Sequence, residues 1–229
     1  MALLREWEDL PDYMKCKEVR EYYDILYKKR LSILFKRIFD YIIGILLLIV
    51  LAIPMIIIAI MIKIDSPGPV FYRQERVTRY GEHFRIHKFR TMVERADKLG
   101  MAVTVENDIR ITKLGKKIRD YRLDELPQIF DVILGNMSFV GTRPEAVKYV
   151  ENYESEYYAT LLLPAGITSE ASIKYKDEAK LLNGAENVEK VYVEEVLQQK
   201  MSYNLKNISE FSFLNDLKIM FATVIAVMR

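Results

Sequence analysis

Between Tyr41 and Ile62 the chain runs for 22 residues without a charge, and 15 of them are Ile, Leu or Val. At about 0.3 to 0.6 kcal/mol for each such residue at a bilayer centre, the run favours insertion by about 5 to 9 kcal/mol. It exceeds the ~18 apolar residues beyond which a membrane helix is the better reading than a buried core helix. A cleaved leader is not expected: 40 residues with eight acidic side chains precede the run, and no small-residue cleavage pattern follows it.

A straight helix of this length would measure about 33 Å, close to the ~30 Å hydrocarbon core. Pro54 disturbs it. Proline removes a backbone donor and clashes with the preceding turn, so a kink is expected there, with arms of 13 and 8 residues, neither of which crosses alone. Lys28, Lys29, Arg30, Lys36 and Arg37 precede the run, and seven cations from Lys63 to Arg90 follow it. Positive flanks on both sides suit a helix that enters, bends at Pro54 and returns to the same face. The expectation is a re-entrant, monotopic anchor. A kinked span stays open, because neighbours can satisfy the carbonyl that proline frees.

Residues 63–229 number 167, enough for one domain with a core. The chain then divides into a helical extension with a basic lead-in (1–40), the anchor (41–62) and a cytosolic catalytic domain (63–229). The net charge of +2 gives no drive toward nucleic acid. Charge is uneven, however: 63–92 carries seven basic and three acidic groups, whereas 145–229 carries nine and thirteen. A basic end beside the membrane suits anionic headgroups or an anionic substrate handled at the interface. Cys16 is the one thiol, too few for an internal disulfide or a four-ligand zinc site, so a reducing, cytosol-facing environment is expected.

Asp65-Ser66-Pro67-Gly68-Pro69 ends the anchor. Val70–Arg76 and His83–Arg90 read as strands of a small hairpin with Gly81 in its turn. Ile109–Tyr121, Glu125–Leu134 and Asn187–Tyr203 read as helices. Within Phe211–Arg229 the uncharged stretch Ile219–Met228 is only ten residues, too short to span and suited to the interface. The fold class is therefore α+β and mainly helical, with a re-entrant membrane helix, a small β-hairpin and interfacial amphipathic helices.

The chemistry points to Arg122-Leu123-Asp124-Glu125-Leu126-Pro127-Gln128. Pro127 is tolerated only in a helix's first turn, which would start a helix near Asp124 and place two carboxylates at its amino end. There a carboxylate stays ionised and could act as a nucleophile or hold a divalent cation. Taken alone, Asp-Glu at a helix start is usually a cap. Its neighbours add to it: Gly141-Thr142-Arg143-Pro144 presents a guanidinium suited to bidentate phosphate binding, Arg119 lies five residues before Asp124, and Lys88 and Arg90 flank Phe89. Together they describe an anionic substrate with a metal-bridged diphosphate. His83 and His87 lack a third ligand nearby and are not expected to hold zinc.

These residues resemble the bacterial sugar transferases, the monotopic phosphoglycosyl transferases of polyprenyl-phosphate-linked glycan assembly. The resemblance rests on Phe35-Lys36-Arg37-Ile38-Phe39-Asp40, the proline-broken anchor, Lys88 to Met92, Leu123 to Gln128, Met137 to Pro144 and Asp216 to Met220. It implies transfer of sugar 1-phosphate from a UDP-sugar to undecaprenyl phosphate with release of UMP, at the cytosolic face of the bacterial inner membrane. Asp124 would be the nucleophile, forming a covalent phosphosugar, and Glu125, with Asp124, would bind Mg2+. Lys88, Arg90, Arg119 and Arg143 are the candidate phosphate-binding residues. Partners would be the two substrates and membrane lipid, with a homodimer left open. Three departures from the family pattern stand out: Ile53-Pro54 replaces a common Ser-Pro, Thr142 replaces a proline, and Leu163 to Ser169 lacks a usual arginine. A noncatalytic membrane-anchored scaffold, with the dyad as a mere cap, is the alternative.

Overall fold

The computed structural model describes residues 4–94, 96, 108–176, 181 and 187–228. Helix α1 (Lys17–Lys28) leads into α2 (Arg30–Asp65), which at 36 residues is the one described helix long and apolar enough to cross a membrane. The two arms expected around Pro54 belong to this single helix. Proline removes one backbone bond, and the bonds on either side carry the helix through.

One stripe of α2 is buried, at Ile33, Lys36, Asp40, Gly44, Met55 and Ile62, a spacing that stays on one helical face. Ile42, Ile49, Ile53, Ile60 and Ile64 are exposed on the rest. Both ends are fastened to the same folded body. Near the start, Lys36 Nζ donates to Val140 O (2.8 Å) and to Asp216 Oδ2 (2.7 Å), and Asp40 Oδ1 accepts from Phe139 N (3.3 Å). At the far end Arg90 donates to Ser66 O (2.7 Å), Ser66 Oγ (2.9 Å) and Pro67 O (2.7 Å), bracing the chain just beyond the last helical residue. Gly68 lies under that guanidinium with φ 116°, and a Cβ there would fall 2.1 Å from Arg90 Nη1.

The hairpin forms but is split. β1 (Phe71–Tyr72) pairs with β4 (Lys88–Phe89), and β2 (Glu75–Val77) pairs with β3 (His83–Arg85), both antiparallel. Arg73 donates to Arg85 O (2.9 Å) at the interruption. Helix α3 (Lys113–Asp120) is shorter than expected, because Thr112 caps it, accepting from Gly115 N at 2.9 Å, and Ile111 is drawn into a bridge with Met92. After α4 (Gln128–Leu134), the run Met137–Val140 is a strand, β5, parallel to β6 (Ala165–Thr168). The helix expected over Asn187–Tyr203 starts at Val188 and reaches Ser209, with a π-helical turn at Tyr192–Leu197. The C-terminal stretch is helical over Phe213–Met228 and exposes Leu214, Phe221, Val224 and Ile225. The fold is thus mainly helical, with three two-stranded sheets among the described residues.

The largest apolar cluster joins Val19, Tyr23 and Leu26 of α1 to Val188, Leu197 and Met201. A smaller one joins Met55 and Ile62 of α2 to Phe89 and Ile118, with Leu123 and Leu126 packed against it. That second cluster sets the Asp-Glu turn against the far half of the long apolar helix.

Candidate active site

The chain reaches the dyad through a reversal. Arg122 adopts a left-handed conformation (φ 56°) after α3, uncommon for a residue with a Cβ. Leu123–Glu125 then makes a 3-10 turn, and α4 begins only at Gln128, with Pro127 as its cap. The helix expected to start near Asp124 is therefore shorter, and the dyad sits in the turn ahead of it. Pro127 has no N–H to close an α-turn, and bonding here joins residues three apart: Glu125 N to Arg122 O and Leu126 N to Leu123 O, both 3.3 Å.

Glu125 is clamped. Lys88 Nζ lies 3.1 Å from Oε1, and Arg143 grips both oxygens, Nη2 on Oε1 and Nη1 on Oε2 at 3.4 Å. Its side chain is 13% exposed. Burial alone would raise this carboxyl, but the Arg143 and Lys88 charges and the Arg143 hydrogen bond outweigh it, holding Glu125 well below the usual carboxylate range. Asp124 is partly buried, and its Oδ1 is shielded from solvent with no hydrogen-bond partner. Burial pushes this carboxyl above its ordinary value, with Glu125 adding to the rise and Lys88, Arg119 and Arg143 opposing it. The sequence places Asp124 in the stabilising field of a helix's amino end; here it sits ahead of the helix, and burial outweighs the three nearby cations. Burial in turn lowers Lys88 and Arg119 from their ordinary values.

Of the six residues singled out from sequence, Asp124, Glu125, Lys88, Arg119 and Arg143 come together. Arg90 does not join them; the bonds it makes hold the end of α2. Arg122, beside the dyad in sequence, adds a further charge near Glu125 and donates to Lys176 O (2.6 Å). Lys88, Arg119, Arg122 and Arg143 surround the two carboxylates with a predominance of positive charge, suited to an anionic ligand.

Arg143 is delivered by a close strand crossing. Gly141 N donates to Thr168 O (3.0 Å) and Gly166 N to Thr142 O (2.8 Å). A Cβ on Gly166 would fall 2.1 Å from Gly141 N. Only glycine lets β5 and β6 stay together right up to the arginine.

Among the described residues no group of three or more His, Cys, Asp or Glu side chains could hold a metal. His83 pairs with Glu75 (3.2 Å) and His87 with Asp131 (2.8 Å), in separate places. Of the dyad's two carboxylates, Glu125 has both oxygens held by Lys88 and Arg143, and Asp124 keeps an orphaned oxygen. That donor set fits Mg2+, which takes one or two carboxylates and completes its shell with phosphate oxygens and water.

A family model described as bacterial sugar transferase matches residues 31–229. The chain belongs to the bacterial sugar transferase family. A UDP-glucose:undecaprenyl-phosphate glucose-1-phosphate transferase of Klebsiella pneumoniae is 38% identical over 200 residues, covering 85% of this chain and 40% of that protein. A UDP-N-acetylgalactosamine-undecaprenyl-phosphate N-acetylgalactosaminephosphotransferase of Aeromonas hydrophila is 33% identical over 183 residues, 76% of this chain and 40% of that protein. An exopolysaccharide production protein of Rhizobium leguminosarum bv. phaseoli is 32% identical over 203 residues, 86% of this chain and 96% of that protein. The chain thus spans about 40% of the length of the first two relatives. In this bacterial sugar transferase α1 lies outside the matched span, yet its side chains complete the main core.

Proposed function

We propose that the protein transfers sugar 1-phosphate from a UDP-sugar to undecaprenyl phosphate, releasing UMP, in bacterial glycan assembly. The observation that carries this is the dyad itself: Glu125 is clamped by Lys88 and Arg143 while the neighbouring Asp124 keeps a buried oxygen without a partner. An Asp124 oxygen attacks the phosphorus joined to the sugar, and the bond to UMP breaks with its electrons leaving on UMP. A phosphate oxygen of the lipid then attacks the same phosphorus and expels the Asp124 carboxylate. No net proton is needed in either step. Lys88, Arg119 and Arg143 lower the cost of bringing one anion to another. Asp124 and Glu125 would hold Mg2+, which when bound would neutralise diphosphate charge.

The membrane reading belongs to the same proposal. A simple crossing would put the two ends of α2 on opposite faces, whereas Lys36 and Arg90 tie both ends to one body. That supports a monotopic anchor on the cytosolic face, bent at Pro54, with its exposed isoleucines in lipid. Incubating the full chain in detergent with a panel of UDP-sugars and undecaprenyl phosphate should release UMP. Donor alone should leave a phosphosugar adduct on Asp124, detectable by mass spectrometry. An inactive protein that still recruits glycan-assembly enzymes would favour the scaffold alternative. Cysteine labelling at both ends of α2 should find neither accessible from outside intact cells.

A further inference from the structure

Two residues beyond Arg143, Glu145 turns into the interior. Its carboxylate lies 2.9 and 2.8 Å from Tyr192 Oη, and Lys200 Nζ lies 3.3 Å from Oε1 and 3.1 Å from the same hydroxyl. Glu145, Tyr192 and Lys200 are 6%, 3% and 4% exposed, and the lysine also sits 5.1 Å from the Tyr192 ring centroid. The backbone beside it is held from another direction: Val77 N donates to Glu145 O (3.1 Å), and Arg76 donates to Pro144 O (3.4 Å).

The helix is adapted to this ring. Residues eight apart in an α-helix are about 80° out of line, whereas residues seven apart nearly superpose. A π-turn takes up one extra residue, and the one at Tyr192–Leu197 lies between the two partners. It brings Tyr192 and Lys200 onto one side, where both reach Glu145. A buried ionic ring is not required for stability, since apolar side chains of similar volume serve as well or better. What such a ring supplies is one fixed arrangement.

The geometry points to Glu145, Tyr192 and Lys200 as positioning residues that hold Arg143 against the dyad, so that the 188–209 helix governs how the donor phosphate is gripped. This rests on the phosphoryl-transfer reading above. Arg143 contacts substrate; the ring acts through it, along a rigid path of two residues that includes Pro144.

A double-mutant cycle on the full chain in detergent tests it, with UMP release as the readout. Tyr192→Phe should lower kcat/KM about tenfold, as a small misplacement of a catalytic group does, and should cost nothing further in an Arg143→Ala background. Lys200→Gln should behave like Tyr192→Phe, and Lys200→Arg should recover most of the loss. Independent, multiplying losses from Tyr192→Phe and Arg143→Ala would overturn the proposal. Hydrogen exchange gives a reading free of activity: Tyr192→Phe should speed exchange in peptides covering 140–146 as well as 188–200, and an increase confined to 188–209 would overturn it. A wild-type protein that releases no UMP from any donor would remove the phosphoryl-transfer reading instead, leaving the exchange result to decide the positioning.

Discussion

Of the places in this fold that bury a carboxylate against a lysine, two are finished differently. Near the start of α2, Lys36 and Asp216 meet at 2.7 Å with side chains 7% and 5% exposed, and the lysine's second bond goes to Val140 O. That pair closes on itself. At the dyad, two cations hold Glu125, others stand near, and Asp124 Oδ1 has no partner. Both clusters bury charge, yet only the second carries surplus positive charge and an unsatisfied oxygen. A satisfied pair fixes two helices in register, whereas an unsatisfied one is a place for a ligand to complete.

Substitutions should separate the two. Asp124→Asn should lower UMP release by a factor on the order of 10⁴, by removing the proposed nucleophile. Its unfolding midpoint should hold or rise, since a buried ionised acid becomes a neutral amide. Retained release would make the dyad another lock. Lys36→Met should do the reverse: it strands Asp216 and should cost about 3 to 5 kcal/mol of stability in denaturant titrations, while the folded fraction keeps its turnover. Adding Asp216→Leu should recover most of that stability. Lys88→Met should lower kcat/KM by about 10²-fold, the usual effect of losing one charge-stabilising donor.

The smallest effect is in pH. Asp124 is raised above 3.8 by burial, so kcat/KM should fall on acidification with a midpoint above that value, measured as a pH profile of UMP release. Glu125 is shifted the other way, and its contribution to stability should be full above its unfolded value near 4.5 and be lost as pH falls toward the lower folded value. An acid limb at or below 3.8 would erase the distinction between the two carboxylates.

The long apolar helix, the hairpin and the closeness of the Asp-Glu pair to a helix start were legible because each is local: an uncharged run, a glycine turn, two adjacent acids before a proline. The 3-10 turn was not, since it depends on which carbonyl Pro127 fails to serve. β5 and β6 escaped notice because their pairing rests on Gly141 and Gly166 meeting across 25 residues of chain. In sequence Arg90 is as good a phosphate candidate as Lys88, a cation beside Phe89; only the fold shows that its bonds go to the end of α2. The Glu145 ring joins residues 47 and 55 apart, which no spacing rule would bring together.

Arg90, which seals the long helix, and Lys88, which holds Glu125, are two residues apart, and Leu123 and Leu126 seat the reactive turn on that helix. With its other end held by Lys36, the apolar helix and the Asp-Glu turn belong to one folded body. If the helix lies in lipid as proposed, the molecule is like a hull with a fixed draught: any lipid that lifts or sinks the helix should move Asp124 by the same amount.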